Sequence, residues 1–189
     1  MAWLNRRSFG VRTALHQAAS VLSIERRGDP LSAAKFSTLR RMTRKAEKLG
    51  ITCRIVPEEE RDGVLAEAIA FEKNHPDPRY RRAEPKTADL RGVALWIAAN
   101  SASGEPLVLS VTPVSGNAAL LRYLRTLSTG EKTTLARYAL TAELVRQLNK
   151  RRVRYLVDNV SPISVSSTLR HFATMVGFRI VRVDMRVRD

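Results

Sequence analysis

The stretch "RTLSTGEKTTLARYALTAELVRQLNKRRVRYLVDN", residues 125–159, decides the fold, because it reads as strand, tight turn, long helix and strand. From Thr133 to Lys150 the apolar residues Leu135, Tyr138, Ala142, Val145 and Leu148 recur at three- and four-residue steps and make one stripe. "VRYLVDN" (153–159) is the short apolar run of a buried strand. Between the first strand and the helix lies "STGEKTT" (128–134). A Walker phosphate loop needs Gly, four residues, then Gly-Lys-Ser/Thr. Here Glu131 separates Gly130 from Lys132 and no earlier glycine is correctly placed, so the turn is not a P-loop. Ser128 or Thr129 is nevertheless placed to cap the helix. The amides of residues 131–134, Thr133 among them, point out of its start and attract an anion, with Lys132 adding charge. A plain helix cap beside a solvated lysine is the competing reading. Asp158-Asn159 ends the next strand at the same helix mouth, where open α/β sheets hold ligands, although an ordinary turn uses the same pair.

Working outward, "VALWIAAN" (93–100) and "PLVLSVTPV" (106–114), joined by "SASGE", read as a hairpin. "ALLRYLRTLS" (119–128) follows the Gly116-Asn117 turn as a third strand. Upstream, "AKFSTLRRMTRKAEKLG" (34–50) is a helix with Phe36, Leu39, Met42, Ala46 and Leu49 on one face and Gly50 as its C-terminal cap. "ITCRIV" (51–56) alternates as a strand, and Pro57 with three glutamates opens a helix running to about Asn74. On that helix Glu67 and Glu72 read as solvated. Residues 75–92, with three prolines, form a loop long enough to be a functional flap, and His75 at its start is placed to touch a substrate. "SVSSTLRHFATMVG" (164–177) is a helix capped by Ser164, with His171 at its surface, and "FRIVRVDMRV" (178–187) a closing strand. This order predicts an α/β domain over residues 35–189, a mixed twisted sheet of about six strands with helices on both faces. Residues 1–34 read as a basic N-terminal helical extension, with an amphipathic helix over Val11 to Leu22.

The chain has 189 residues, enough for one substantial core, and carries 33 Lys and Arg against 18 Asp and Glu, a net of +15. Residues 1–56 hold 12 basic and 3 acidic side chains, residues 57–92 hold 7 and 9, and residues 93–189 hold 14 and 6. Two basic blocks flanking a mildly acidic middle point to an anionic partner, such as RNA, DNA, an acidic lipid surface or a phosphorylated substrate; an arginine-rich solvated surface is the bland alternative. Arg40, Arg41, Arg44, Lys45 and Lys48 lie on helix 34–50, and the four-residue spacing of Arg40, Arg44 and Lys48 suits a phosphate backbone. Lys150, Arg151 and Arg152 crowd a helix end, either complementing its negative terminus or meeting a polyanion. Aromatics at 6 % argue against single-strand binding by base stacking. Cys53 is alone, and three scattered His do not complete a zinc site with it, so neither disulfide nor metal is expected, and a reducing cytoplasm fits. No apolar run approaches the roughly 20 residues of a membrane span; the amphipathic N-terminal segment reads first as packing on the domain, with contact of residues 1–24 with a membrane surface as the alternative.

The order from residue 119 onward resembles the core of the GNAT acyltransferases, and "LRHFATMVGFRIVRV" (169–183) resembles that family's last helix and its Gly-Phe entry into the final strands. "KFSTLRRMTRKAEKLGITCRIV" (35–56) resembles the stretch before the first core strand of the aminoacyl-tRNA-using relatives, the Fem-type peptidyltransferases and the soluble domain of phosphatidylglycerol lysyltransferases. The resemblance implies a carrier held by the amides at the 133–150 helix start. That casts Ser128, Thr129, Gly130, Lys132 and Thr133, with Asn159, as donor-binding residues. It implies transfer of an acyl or aminoacyl group to an amine from acyl-CoA or aminoacyl-tRNA, neither tightly bound. The usual glycine-rich loop is reduced to Gly130, the usual tyrosine acid is replaced by Ala173, and 118–128 contains no Asp or Glu, which favours the aminoacyl-tRNA branch. No residue is assigned as catalytic. The alternative is a non-catalytic module of the same fold that binds nucleic acid or another polyanion through its basic helices.

Overall fold

The computed structural model describes residues 15–25, 28–160 and 166–185. Among these the strands are β1 (Leu15–Ser23), β2 (Thr52–Ile55), β3 (Leu95–Asn100), β4 (Pro106–Thr112), β5 (Val114–Ser115), β6 (Ala118–Leu121), β7 (Tyr123–Thr126), β8 (Tyr155–Asp158) and β9 (Arg179–Met185). The helices are α1 (Ser37–Lys48), α2 (Arg61–Lys73), α3 (Glu131–Lys150) and α4 (Ser167–Met175). The α/β class, the mixed sheet and helices on both faces stand as expected from the sequence, but the strands form two sheets rather than one of about six. Their orders are β5-β6-β8-β1-β9 and β2-β3-β4-β7.

Alternation along β3 explains the two-sided covering. Leu95, Ile97 and Ala99 face one core with Leu39 and Ala46 of α1 and Leu140, Leu144 and Leu148 of α3. Trp96 and Ala98 face a second core with Leu65 and Ala68 of α2 and with Leu90. A period of two along the strand sends successive side chains to opposite helical layers. All strand pairs are antiparallel except β6 with β8, where Ala118 to Leu121 run beside Tyr155 to Asp158.

The segment 119–128 is therefore not one strand of a meander. Its first half, β6, stays with β8, and its second half, β7, leaves to pair with β4, Tyr123 opposite Val111 and Thr126 opposite Val108. At the break the Arg122 amide bonds back to the Leu120 carbonyl at 2.8 Å, a tight local turn that redirects the chain. The two sheets part from here.

A second correction concerns the N-terminal side. Residues Leu15–Ser23, expected in a helix over Val11 to Leu22, form β1, paired with β8 on one side and β9 on the other. Alanine and leucine favour a helix locally, but hydrogen bonding along both edges and burial of Leu22 outweigh that preference. Part of the segment proposed to meet a membrane surface, residues 1–24, is thus a strand inside the sheet. Residues 1–14 lie outside the described residues. Among the described residues no helix is long and apolar enough to cross a membrane.

The cap of α4 is Ser166, whose hydroxyl accepts from the Leu169 amide at 3.3 Å; Ser164 lies outside the described residues. Gly177 follows at φ 97°, and a Cβ there would stand 3.2 Å from both Leu22 Cδ1 and Phe36 Cε1, so the glycine lets the chain enter β9 close against β1 and Phe36. At the end of α3 the position that favours glycine is taken by Arg152 at φ 60°, with Val153 donating to Leu148 and Arg152 to Asn149. A left-handed non-glycine residue costs on the order of 1 kcal/mol. Arg152→Gly is expected to raise the melting temperature by about 2–4 °C, read by calorimetry.

Candidate functional site

Where β6 and β8 part company with β7, the structure opens a cavity of about 140 Å³. Its floor is apolar, with Leu121, Leu124, Phe172 and Phe178, and its charged groups are Arg122, Arg125, Arg137, Asp158 and Arg170. The volume suits a small head group, not a whole nucleotide. β7 is an edge strand, paired with β4 alone, so alternate main-chain groups along its other edge have no strand partner.

Asp158 ends β8 with its Oδ1 accepting the Val160 amide at 3.1 Å. Burial pushes its carboxyl above the usual carboxylate range, outweighing that amide and the Arg125 charge, which hold it down. A carboxylate kept away from water beside an open cleft is poised to accept a proton or bind a cation. Residues 118–128 carry no acid, and the neighbouring strand β8 supplies one.

Two of the arginines are pinned from outside. Arg122 makes a two-pronged pair with Asp89, Nε to Oδ2 at 2.7 Å and Nη2 to Oδ1 at 2.9 Å, and also donates to the Lys86 carbonyl at 3.0 Å. This ties the second half of the 75–92 loop to the rim of the cleft. Arg125 reaches Glu72 of α2, Nε to Oε1 at 2.7 Å, and its guanidinium lies 5.1 Å from the Tyr123 ring centroid. Glu72 is buried, so the solvated role expected for it is corrected: it fixes Arg125 at the cleft. Burial and the neighbouring Glu72 charge together push the Tyr123 hydroxyl well above its ordinary value. His75 is held in the loop between Phe71 and Tyr80, with ring centroids at 5.1 and 5.3 Å, and its Nδ1 accepts the Asp77 amide.

Arg137 stands on α3 with its guanidinium 4.3 Å from the Phe172 ring centroid, and Phe172 in turn meets Tyr138 edge-on at 5.0 Å. Burial lowers its pKa without threatening its charge.

The turn 128–134 adjoins this cleft without lining it. Ser128 Oγ and Thr133 Oγ1 bond to each other at 2.5 Å, so neither hydroxyl caps α3. The N-cap is Gly130 at φ 102°, with no side-chain bond to the helix, while Thr129, Gly130 and Lys132 are exposed. Amides of residues 131–133 therefore open toward solvent as the anion reading requires, although Glu131 in the first turn competes. Asn159 alone of the six donor-binding candidates lines the cavity.

Of the basic candidates, Arg41, Arg44, Lys45 and Lys48 are exposed on α1. Arg40 is not on that open face: it donates to the carbonyls of Leu31, Ser32 and Ala33 and closes the loop before α1. Likewise Arg151 bonds back to the Gln147 carbonyl and side chain at 3.0 and 2.8 Å, leaving Lys150 and Arg152 exposed at that helix end. Cys53 is withdrawn from solvent, its thiol pushed up to about 12 chiefly by burial.

No family model matches the chain, and no curated protein matches it by sequence. Solved structures do match its fold. One is the C-terminal DUF2156 domain of a protein from Agrobacterium fabrum described as a lysylphosphatidylglycerol synthetase, at 12% identity and TM-score 0.61, covering 88% of this chain and 59% of that one. The L-PGS structure from Bacillus licheniformis matches at 12% identity and TM-score 0.60, covering 91% and 60%. FemX matches at 10% identity and TM-score 0.66, covering 86% and 59%. The fold is GNAT-like and is shared with FemX and with these two lysylphosphatidylglycerol synthetase structures. The chain spans about three-fifths of the length of each of these structures.

Proposed function

We propose that the cleft transfers an acyl or aminoacyl group from an anionic carrier, acyl-CoA or aminoacyl-tRNA, to an amine. The observation that carries this reading is the parting of β7 from the parallel pair β6 and β8, which opens a cavity holding Asp158 among arginines. The carrier's phosphates sit at the open amides of residues 131–133 with Lys132. From there to Arg137 is six residues of helix, about 9 Å, a reach that brings an extended donor's carbonyl into the cleft. The amine attacks the carbonyl carbon and Asp158 accepts one of its protons. The carbon–sulfur or carbon–oxygen bond then breaks, and the departing thiolate or alkoxide is protonated. Unpaired amides along the open edge of β7 stabilise the oxyanion.

Titration with acetyl-CoA, free CoA and bulk tRNA tests this reading. A true donor at about a hundred times its Kd raises the melting temperature by about 5–10 °C and yields an amide product with an amine acceptor. No stabilisation by any of the three, with no amide formed, overturns it. A second reading, a binding module for nucleic acid, draws support from Arg41, Arg44, Lys45 and Lys48, none of which has a carboxylate within 4 Å among the described residues.

A further inference from the structure

We infer that Arg137 is the anchor of an oxyanion subsite inside the cleft, taking a carboxylate or phosphate group carried by the substrate. The inference deepens the transfer reading by naming a chemical feature of what enters the cavity, and it rests on that reading only for the word substrate.

The Arg137 Cζ lies 4.3 Å from the centre of the Phe172 ring, and that ring is itself met edge-on by Tyr138. The ring attracts the charge without taking a hydrogen bond, so the N–H donors are left for other partners. Among the described residues, no carboxylate stands within 4 Å of those donors and no acceptor bonds to them. Arg122 and Arg125, on the same cavity, are each committed to an acid, Asp89 and Glu72. Asp158 takes its bond from the Val160 amide and lies within the field of Arg125, so it does not neutralise Arg137.

A cation withdrawn from water without a counter-charge destabilises a fold unless something compensates. The Phe172 ring compensates only in part. The remaining walls of the cavity are mostly apolar, which strengthens attraction to whatever anion arrives. A guanidinium held over a ring at the wall of a small apolar-floored cavity, with its donors unbonded, suits a carboxylate or phosphate read through paired bonds. The cavity volume of about 140 Å³ admits such a group with its immediate carbon substituents.

The test is binding in solution, without turnover. Arginine Nε–H resonances of the intact protein are followed while inorganic phosphate, acetate or chloride is added at constant ionic strength. The Arg137 signal is assigned by its loss in Arg137→Met. The expected result is a saturable shift of that signal with phosphate or with acetate and none with chloride. The anion that saturates first tells a phosphate-bearing from a carboxylate-bearing substrate. Arg137→Met is expected to weaken that anion about tenfold or more and, since it removes an unpaired charge, to leave the melting temperature unchanged or raised. Phe172→Leu keeps the charge and removes the platform, and weakens the anion without abolishing it. A shift at Arg137 that fails to saturate with either anion overturns the proposal, as does equal anion binding by Arg137→Met. A melting temperature that falls in Arg137→Met together with absent anion binding makes the residue a structural prop. Because these readouts need no donor, the subsite can fail while amide formation stands, and can stand while amide formation fails.

Discussion

Replacing Asp158 by Asn is expected to cut amide formation by about 10²- to 10⁴-fold while making the protein more stable at neutral pH. The first figure is what a positioned proton acceptor ordinarily contributes. The second follows from burial, which holds the carboxyl above its ordinary range. A free Asp titrates near 3.9. Between that value and the raised folded one, the native chain binds more protons than the unfolded chain, so stability falls as pH rises through the window. Above the window an ionised group is kept from water at a cost. Asn removes that cost and still offers an oxygen to the Val160 amide, so the turn survives. The melting temperature of Asp158→Asn therefore exceeds that of the parent at pH 7, and the gain shrinks as pH falls through that window and is gone below the ordinary Asp value. A variant with full turnover takes Asp158 out of the chemistry. One less stable at pH 7 contradicts the burial argument.

The turn at 128–134 and the Asp158-Asn159 pair could be found because turns and strand ends have their own residue chemistry. The element order was readable because the stripes on α1 and α3 and the alternation in β3 and β4 are local patterns. The parting of β7 from β6 left no such trace. Residues 118–126 contain no Gly or Pro, and the redirection at Arg122 is a main-chain event inside a continuous run of strand formers. β1 carries no local strand signal because its identity as a strand comes from two partners more than a hundred residues away, β8 and β9, while its own alanines favour a helix. Arg137 was invisible for a different reason. On a helix carrying several charges nothing distinguishes it until Phe172 packs beneath it from α4. Four-residue spacing placed Arg40 with Arg44 and Lys48, yet three backbone carbonyls claim it, a contact no helical periodicity encodes.

That last distinction sets the largest expected effect on nucleic-acid binding. If α1 meets a phosphate backbone, changing Arg41, Arg44, Lys45 and Lys48 together to Gln removes four phosphate contacts. Each contact contributes about 0.7–0.9 to the slope of log affinity against log salt, so the slope falls by about 3. Carried from molar salt to about 0.15 M, that difference weakens tRNA binding on the order of 10²- to 10³-fold. The same variant keeps its melting temperature, because all four side chains are exposed and none has an acid partner among the described residues. Binding of coenzyme A at the α3 terminus is unaffected, which separates loss of a nucleic-acid surface from loss of the donor site. Arg40→Gln behaves in the opposite way. It leaves the carbonyls of Leu31, Ser32 and Ala33 without their donor, costs about 1–3 kcal/mol of stability and leaves the salt slope nearly unchanged. An unaltered slope in the fourfold variant removes α1 from the interface and turns attention to Lys150 and Arg152, the exposed cations at the far end of α3. Charge on this chain would then serve binding at a helix end, where Arg152 holds a backbone conformation that glycine would adopt at lower cost.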